Sequence, residues 1–278
     1  INNCDAAWLF YHSSFENEID RIRAACPKLK QVICLDKPGI SHPFFDDFIA
    51  GFKAQARELP DCRDRVICHF TSGGTTGQPK GAMWSNLTWE AWTANVYAHM
   101  PVKKPPVFLV AAPMSHGAGA FAWPALAFGA TLVCIPRAEP LAVLEAMHTY
   151  RVTHTFLPPT VVYMMLAHPR AKEFDFSAMD YLVYGGAPMS ADKVKQALNL
   201  FGPCMAQIYG QVECPITIGI LSPDDHLEAL STPDKEKRLT SCGRPPVFVN
   251  VEMMDEDGNL VSQGEWGEIV VRGTLVSL

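Results

Sequence analysis

Ten residues concentrate the chemistry of this chain: Ser72 to Gly81, reading SGGTTGQPKG. The glycines Gly73, Gly74, Gly77 and Gly81 permit positive φ and let backbone N–H groups approach an anion closely. Thr75 and Thr76 add hydroxyl donors, and Lys80 adds a point charge on a flexible stem. Pro79 withholds a backbone donor and pushes Gln78 toward extended backbone, so the loop is shaped rather than slack. The apolar run Val66 to Phe70 precedes it. A strand leading into such a set of donors is a phosphate cradle.

Two commoner cradles are excluded. A Walker A loop needs Gly-Lys adjacent and followed by Ser or Thr, whereas Pro79 separates Gly77 from Lys80 and Gly81 follows the lysine. No G-x-G-x-x-G occurs in the run, so it is not a dinucleotide fingerprint either. A flexible Gly/Thr surface loop is the plain alternative, and the Pro-Lys-Gly ending argues against it.

The elements that must position this loop alternate from Val107 onward in a βα fashion. Val107 to Ala111 reads as a strand, Ala118 to Phe128 as a helix and Thr131 to Ile135 as a strand. Pro140 to Tyr150 suits a helix opened by proline, and Thr153 to Leu157 and Tyr181 to Tyr184 read as buried strands. Val194, Ala197, Leu198 and Phe201 recur at helical spacing, with Ser190 as the expected N-cap and Asp192 in the first turn. Trp84 and Trp89 are expected on a helix after the loop. The implied architecture is α/β: a doubly wound, mostly parallel sheet with helices on both faces. From Ser231 the character changes. Ser231 to Arg238 is polar and reads as a surface loop, and Val247 to Met254 and Gly267 to Arg272 alternate like antiparallel strands joined through Asp257-Gly258. The expected division is therefore 1–230, an α/β core, and 231–278, the start of a small antiparallel β subdomain.

The loop and five downstream segments together resemble the adenylate-forming superfamily of acyl-CoA synthetases, luciferases and peptide-synthetase adenylation domains. Its usual loop is [ST]-[SG]-G-[ST]-T-G-x-P-K-G, which Ser72 to Gly81 fits throughout. PMSHGAG (Pro113 to Gly119) resembles the segment beside the acyl pocket, and YGGAPMS (Tyr184 to Ser190) the adenine-binding segment. IYGQVE (Ile208 to Glu213) resembles the Y-G-x-T-E motif, and SCGRP (Ser241 to Pro245) and GEWGEIVVRG (Gly264 to Gly273) the segments that follow, all in family order. The likeness is greatest to acyl-CoA synthetases acting on fatty and aryl acids.

That resemblance implies a two-step reaction: a carboxylate attacks the α-phosphate of ATP to give acyl-adenylate and pyrophosphate, and the thiol of CoA then displaces AMP. It implies that Ser72, Gly73, Gly74, Thr75, Thr76, Gly77 and Lys80 hold the β- and γ-phosphates, with Lys80 aiding the chemistry. It implies that Tyr209 stacks on adenine, with Gly185, Gly186, Ala187 and Pro188 lining the other side and Gly210, Gln211 and Val212 completing the nucleotide site. Glu213 would bind Mg²⁺, for which a carboxylate is a suitable hard ligand. His116 would sit near the reacting carboxylate, at the carboxyl end of the Val107 to Ala111 strand, where open α/β sheets place ligands. The small residues Gly117, Ala118 and Gly119 leave room for an acyl chain. At Val212 the family usually carries threonine, whose hydroxyl contacts the α-phosphate; valine keeps the branched shape and loses that bond. The resemblance also implies further sheet before Ile1 and, beyond Leu278, a ribose-binding segment and a mobile C-terminal domain, so the chain reads as an internal fragment of a larger synthetase, inactive alone.

Plainer readings stand beside these roles. Glu213 could be a surface acid after a strand, Gly185-Gly186 a tight turn, and His116 a core or capping histidine. Phe121 and Trp123 read as core, as do Cys26, Cys34, Cys68 and Cys134. His148 shares a helical face with Leu141 and Leu144 and reads as packing. Within the same superfamily, the adenylation region of a carboxylic acid reductase or peptide synthetase would pass the acyl group to a carrier-bound thiol instead. A non-catalytic nucleotide-binding module is the alternative from another class, motivated by Val212.

Composition closes off other functions. The 278 residues are 48% hydrophobic and 19% charged, with a formal net charge of −6, which argues against a nucleic-acid binder. Nine unclustered cysteines without a C-x-x-C pair suit reduced thiols and a cytoplasmic protein. Val107 to Pro136 is almost uncharged, but its prolines and glycines break it into shorter elements, so no integral membrane segment is expected. The expected partners are small molecules, a carboxylic acid, ATP and CoA, and the family allows a homodimer.

Overall fold

The computed structural model describes residues 1–39, 41–56, 60, 62–71 and 81–278. The contacts of these described residues separate into two compact units, one of residues up to Arg63 together with Gly81, the other of Asp64 to Thr71 and Ala82 to Leu278. In the first unit, strands β1 (Trp8–Tyr11) and β2 (Gln31–Cys34) pair in parallel. A parallel pair needs a crossover, and helix α1 (Glu16–Ala25) supplies it, burying Ile19 against Tyr11, Val32 and Cys34. Helix α2 (Phe45–Ala50) follows.

The second unit opens with β3 (Val66–Thr71) and β4 (Gly81–Ser85), which form a two-stranded sheet. Helix α3 (Asn86–His99) starts at once, because the Ser85 hydroxyl accepts the free N–H of Thr88 at 3.2 Å. Then come β5 (Val107–Val110), α4 (Gly117–Leu126), β6 (Thr131–Cys134), α5 (Pro140–Thr149), β7 (His154–Leu157) and α6 (Pro159–Ala167). The chain continues through β8 (Tyr181–Gly185), α7 (Ala191–Phe201), β9 (Met205–Tyr209), β10 (Gly219–Leu221) and α8 (Pro223–Ser231). It ends on β11 (Asn250–Met254) and β12 (Glu268–Arg272), an antiparallel pair.

The central sheet has the order β10-β9-β8-β7-β5-β6, parallel except for β10 at its edge. From β5 the chain winds outward to β6, then returns to the other side of β5 and builds β7, β8 and β9 in the opposite direction. That reversal opens a crevice beyond the carboxyl ends of β5 and β7.

Successive strand residues face opposite sides, so one sheet feeds two cores. Leu109, Leu157, Leu182, Tyr184 and Met205 pack with the buried faces of α5, α6 and α7. Their neighbours Phe108, Val110, Phe156, Val183 and Ala206 pack with Trp92 of α3 and with Ala118, Phe121 and Ala122 of α4. Helices therefore cover both faces, and the doubly wound α/β architecture expected from the βα alternation is the one observed.

Several local expectations change. Trp84 lies on β4, not on a helix; the helix begins two residues later, at the Ser85 cap. Ser231 to Arg238 is not an irregular loop, since Pro233–Thr240 is a 3-10 helix. Its polar residues are held by ion pairs, Arg238 and Lys235 to Glu228 and Lys195 to Glu236, and Leu239 anchors it in the core. Trp123 is half exposed and Cys134 is exposed, so neither is core filler; Cys26 and Cys34 are buried and Cys68 is half-buried. His148 is exposed too, where its Nδ1 accepts the N–H of Asp175 and its ring lies near Phe174. Ser190 stands at the N-cap of α7, yet its side chain makes no capping hydrogen bond. Among the described residues no helix is long and apolar enough to cross a membrane.

Candidate functional site

The loop Ser72 to Lys80, with Ser72, Gly73, Gly74, Thr75, Thr76, Gly77 and Lys80 as its expected phosphate contacts, lies outside the described residues. The other candidates sit on turns that leave the carboxyl ends of β5, β8 and β9. His116 is the N-cap residue of α4, exposed, with Nδ1 2.9 Å from Ser115 Oγ. Its side chain is neither in the core nor capping the helix.

Together these turns enclose a cavity of about 690 Å³ in the second unit. Phe70, Thr71 and Trp84 come to it from β3 and β4. Ala112, Pro113, His116, Gly117 and Ala120 follow β5, and Phe156, Pro158 and Thr160 belong to the end of β7 and the start of α6. Gly185, Gly186 and Ala187 leave β8, and Ile208, Gly210, Gln211, Val212 and Ile216 come from β9 and its following turn. Among the described residues none that lines it is an acid, a lysine or an arginine, and Phe70, Trp84, Phe156, Ile208 and Ile216 make those walls mainly apolar.

A second cavity of about 320 Å³ shares Gly186, Ala187, Ile208 and Gly210 with the first. Pro188, Met189, Gln207, Tyr209, Thr240, Ser241 and Cys242 complete it. Here the walls are mostly turn backbone with a half-buried tyrosine ring, which suits a flat heteroaromatic ligand presenting hydrogen-bonding edges. The two cavities therefore bring His116, Gly185, Gly186, Ala187, Pro188, Tyr209, Gly210, Gln211 and Val212 to one place. Glu213 is exposed at the same turn, outside both linings.

Close packing explains why the turns carry glycine. A Cβ on Gly185 would lie 2.7 Å from the carbonyl oxygen of Ile208, and one on Gly210 2.5 Å from the Ile216 nitrogen. Ile216 itself has φ of 69°, a strained setting for a β-branched residue. The N–H of Thr217 bonds the Pro215 carbonyl at 2.7 Å across it, closing a three-residue turn. Buried Asn95 holds this turn, donating to Thr217 Oγ1 at 3.3 Å.

Behind the second cavity lies a buried relay. His226 Nδ1 is 2.8 Å from the Ser222 carbonyl, which fixes its proton there and leaves Nε2 to accept the Tyr184 hydroxyl at 3.0 Å. That hydroxyl is also 3.4 Å from Gln207 Oε1. Burial lowers the His226 pKa, so the imidazole is neutral. Beside His226 on α8, Asp225 pairs with Arg244, and its carboxylate also closes the capping box of α8 with Ser222. Burial raises the Asp225 pKa, but hydrogen bonds from Arg244 and Ser222 outweigh it and hold the carboxyl below its ordinary value.

A model of the AMP-binding enzyme family matches residues 1–278. The chain belongs to that family. Among curated relatives, the medium/long-chain-fatty-acid–CoA ligase FadD8 of Mycobacterium tuberculosis is 37% identical over 222 residues, covering 80% of this chain and 37% of that protein. A feruloyl-CoA synthase of Amycolatopsis sp is 36% identical over 220 residues, covering 78% of this chain and 42% of that one. Among solved structures, the amide bond synthetase McbA of Marinactinospora thermotolerans superposes with a TM-score of 0.85 at 31% identity, over 99% of this chain and 53% of that chain. The chain thus spans about half, or less, of the length of these relatives.

Within this member of the family, sequence reasoning missed Phe70, Trp84, Phe156, Thr160 and Ile216 in the larger cavity and Gln207 and Thr240 to Cys242 in the smaller. Gln207 carried a signal, being a polar residue in an otherwise apolar strand. Phe156 carried none, because every residue of β7 is buried and no alternation marks the face that meets the cavity.

Proposed function

We propose that this protein activates an apolar carboxylic acid, fatty or aryl, as its acyl-adenylate with ATP and transfers the acyl group to CoA. The observation that carries this reading is the joining of two unlike cavities at Gly186, Ala187 and Gly210. One is apolar and uncharged, as an acid tail requires; the other is lined by turn backbone and Tyr209, as adenine requires. A ligand spanning both would have its acyl–phosphate junction near the shared turns. Family membership and the relatives named as CoA ligases support the reaction class.

In this mechanism Tyr209 and the Gly185 to Pro188 turn seat the base, and the apolar cavity excludes water from the acid tail. His116, at the mouth of α4, donates a hydrogen bond to the reacting carboxylate and orients it toward the α-phosphate. Ser72 to Gly77 and Lys80 hold the β- and γ-phosphates as they become pyrophosphate. Glu213 would hold Mg²⁺, for which one exposed carboxylate suffices when phosphates and water complete the shell; the ion would neutralise charge on the phosphates. Residues 1–230 would supply most of both cavities, and 231–278 would close the smaller one with Thr240, Ser241 and Cys242 before beginning the β-rich part.

Acid-dependent ATP–pyrophosphate exchange by the full-length protein, with a pool of fatty and aryl acids, tests the reading. Exchange that vanishes without acid is expected, and dividing the pool then names the substrate. A folded protein that binds ATP and gives no exchange with any acid would refute it.

A further inference from the structure

Trp84 lines the larger cavity, and its indole is held both by ring contacts and by a hydrogen bond to the turn after β9. Its indole is 4% exposed. Phe70 stacks on it with ring centroids 4.1 Å apart at 26°, and Trp92 meets it edge-on at 6.0 Å and 65°. Trp92 is fully buried and is itself braced edge-on by Trp89 at 4.5 Å. An indole clamped on both sides cannot change rotamer without moving neighbours in a close-packed core.

The single polar atom of that indole is spent on the catalytic turn. Trp84 Nε1 donates to the carbonyl of Val212 at 2.8 Å, across 128 residues of sequence. That carbonyl belongs to the peptide leading directly into Glu213. Two backbone bonds fix the flanking peptides, Gln211 N–H to the Cys214 carbonyl at 3.1 Å and Ser277 N–H to the Glu213 carbonyl at 2.8 Å. Trp84 adds a side-chain tether at the intervening peptide. The Val212 side chain has no hydroxyl with which to anchor the turn itself.

We propose that Trp84 is a positioning residue: its indole N–H fixes the Val212–Glu213 peptide and so aims the exposed Glu213 carboxylate at the metal–phosphate complex. The inference rests on the adenylation reading given above. It assigns the N–H a function separable from the ring's packing, because the ring fills space whether or not it donates.

The test is site-specific replacement of Trp84 in the full-length protein by benzothienylalanine, which keeps the bicyclic shape and lacks the N–H. A second protein carries 5-fluorotryptophan at the same position and keeps both. Both are assayed by acid-dependent ATP–pyrophosphate exchange across a Mg²⁺ titration, with Tm as the check on folding. Loss of one hydrogen bond to a part-buried carbonyl predicts about a tenfold fall in kcat and a raised Mg²⁺ half-saturation for the benzothienyl protein. The KM for the acid stays as in the unsubstituted protein, and the fluorotryptophan protein behaves like it. Unchanged kcat and Mg²⁺ dependence in the benzothienyl protein, while the unsubstituted protein exchanges normally, overturns this inference alone. An equal loss in the fluorotryptophan protein overturns it as well, since shape and not the donor would then matter. Absence of acid-dependent exchange in the unsubstituted protein overturns the adenylation reading and this inference with it.

Discussion

The two cavities share four residues and are built on opposite plans. The larger is walled by side chains: Phe70, Trp84, Phe156 and Ile216 give it shape, and each is set by packing elsewhere in the core. The smaller is walled by turns, Gly186 to Met189 and Thr240 to Cys242, held from behind by the Tyr184–His226 relay and the Arg244–Asp225 pair. Backbone presents the same donors and acceptors whatever the side chain, so the smaller cavity suits a ligand that never changes. Side chains are free to vary, so the larger suits a ligand that differs between relatives.

If the division is real, a change at the shared turn should damage both sides. Gly210→Ala is the sharpest such change. The added Cβ would lie 2.5, 2.6 and 2.7 Å from the nitrogen, carbonyl carbon and Cα of Ile216. All three are backbone atoms, and Ile216 is already in a strained turn, so nothing nearby can yield cheaply. The expected cost is about 1–3 kcal/mol of stability, together with loss of both ATP and acid saturation in the exchange assay. Wild-type KM values for both substrates would show that the cavities do not depend on this turn.

A change confined to one wall should damage one side. A Cβ on Gly117 would meet the ring of Phe156 at 2.4 Å, a side chain and not backbone. Phe156 is buried and stacked on Phe121 at 5.4 Å and 13°, so its ring shifts only by disturbing that stack or by entering the cavity. Gly117→Ala is therefore expected to raise the KM for the acid about tenfold, taking about 1.4 kcal/mol as the overpacking cost, with ATP saturation unchanged. Equal effects on both substrates would break the comparison.

The same contrast explains what the sequence disclosed. The turn-walled side was legible because its constraints act on residue type: Gly185, Gly186 and Gly210 are glycine since a Cβ collides or φ is positive, and Tyr209 stands at a fixed offset from them. The sheet was legible too, since strands buried on both faces read as near-continuous apolar runs. The side-chain-walled cavity was not. Trp84 was expected on a helix because nothing before Ser85 marks the strand's end, and its bond to Val212 joins β4 to a turn 128 residues away that no local pattern links to it. Trp123 and Cys134 are apolar residues left at the surface, which periodicity counts as core. Pro233–Thr240 looked like a loop because its residues are polar, whereas ion pairs to α7 and α8 and one buried leucine hold it helical.

The smallest expected effect lies behind the nucleotide-side wall, where Arg244 follows the Ser241 to Gly243 turn and pairs with buried Asp225. Asp225 has a folded-state pKa below its ordinary value, so its contribution to stability is fully present above the unfolded value near 3.9 and is lost as pH falls through the lower folded one. Arg244→Gln removes the first of the opposing hydrogen bonds and leaves burial, which raises the pKa, less compensated. The variant should therefore melt about 5 °C lower at neutral pH, an estimate from one charged hydrogen bond. The gap should narrow as pH falls below the unfolded value near 3.9 and toward the lower folded-state pKa of the unsubstituted protein, where Asp225 takes up a proton and the pair loses its charge. Differential scanning calorimetry from pH 7 to pH 3 measures the gap, and exchange kinetics of the same variant test the comparison. A raised KM for ATP with the acid KM unmoved is expected; a pH-independent gap would mean that Arg244 acts by packing and not through the Asp225 charge.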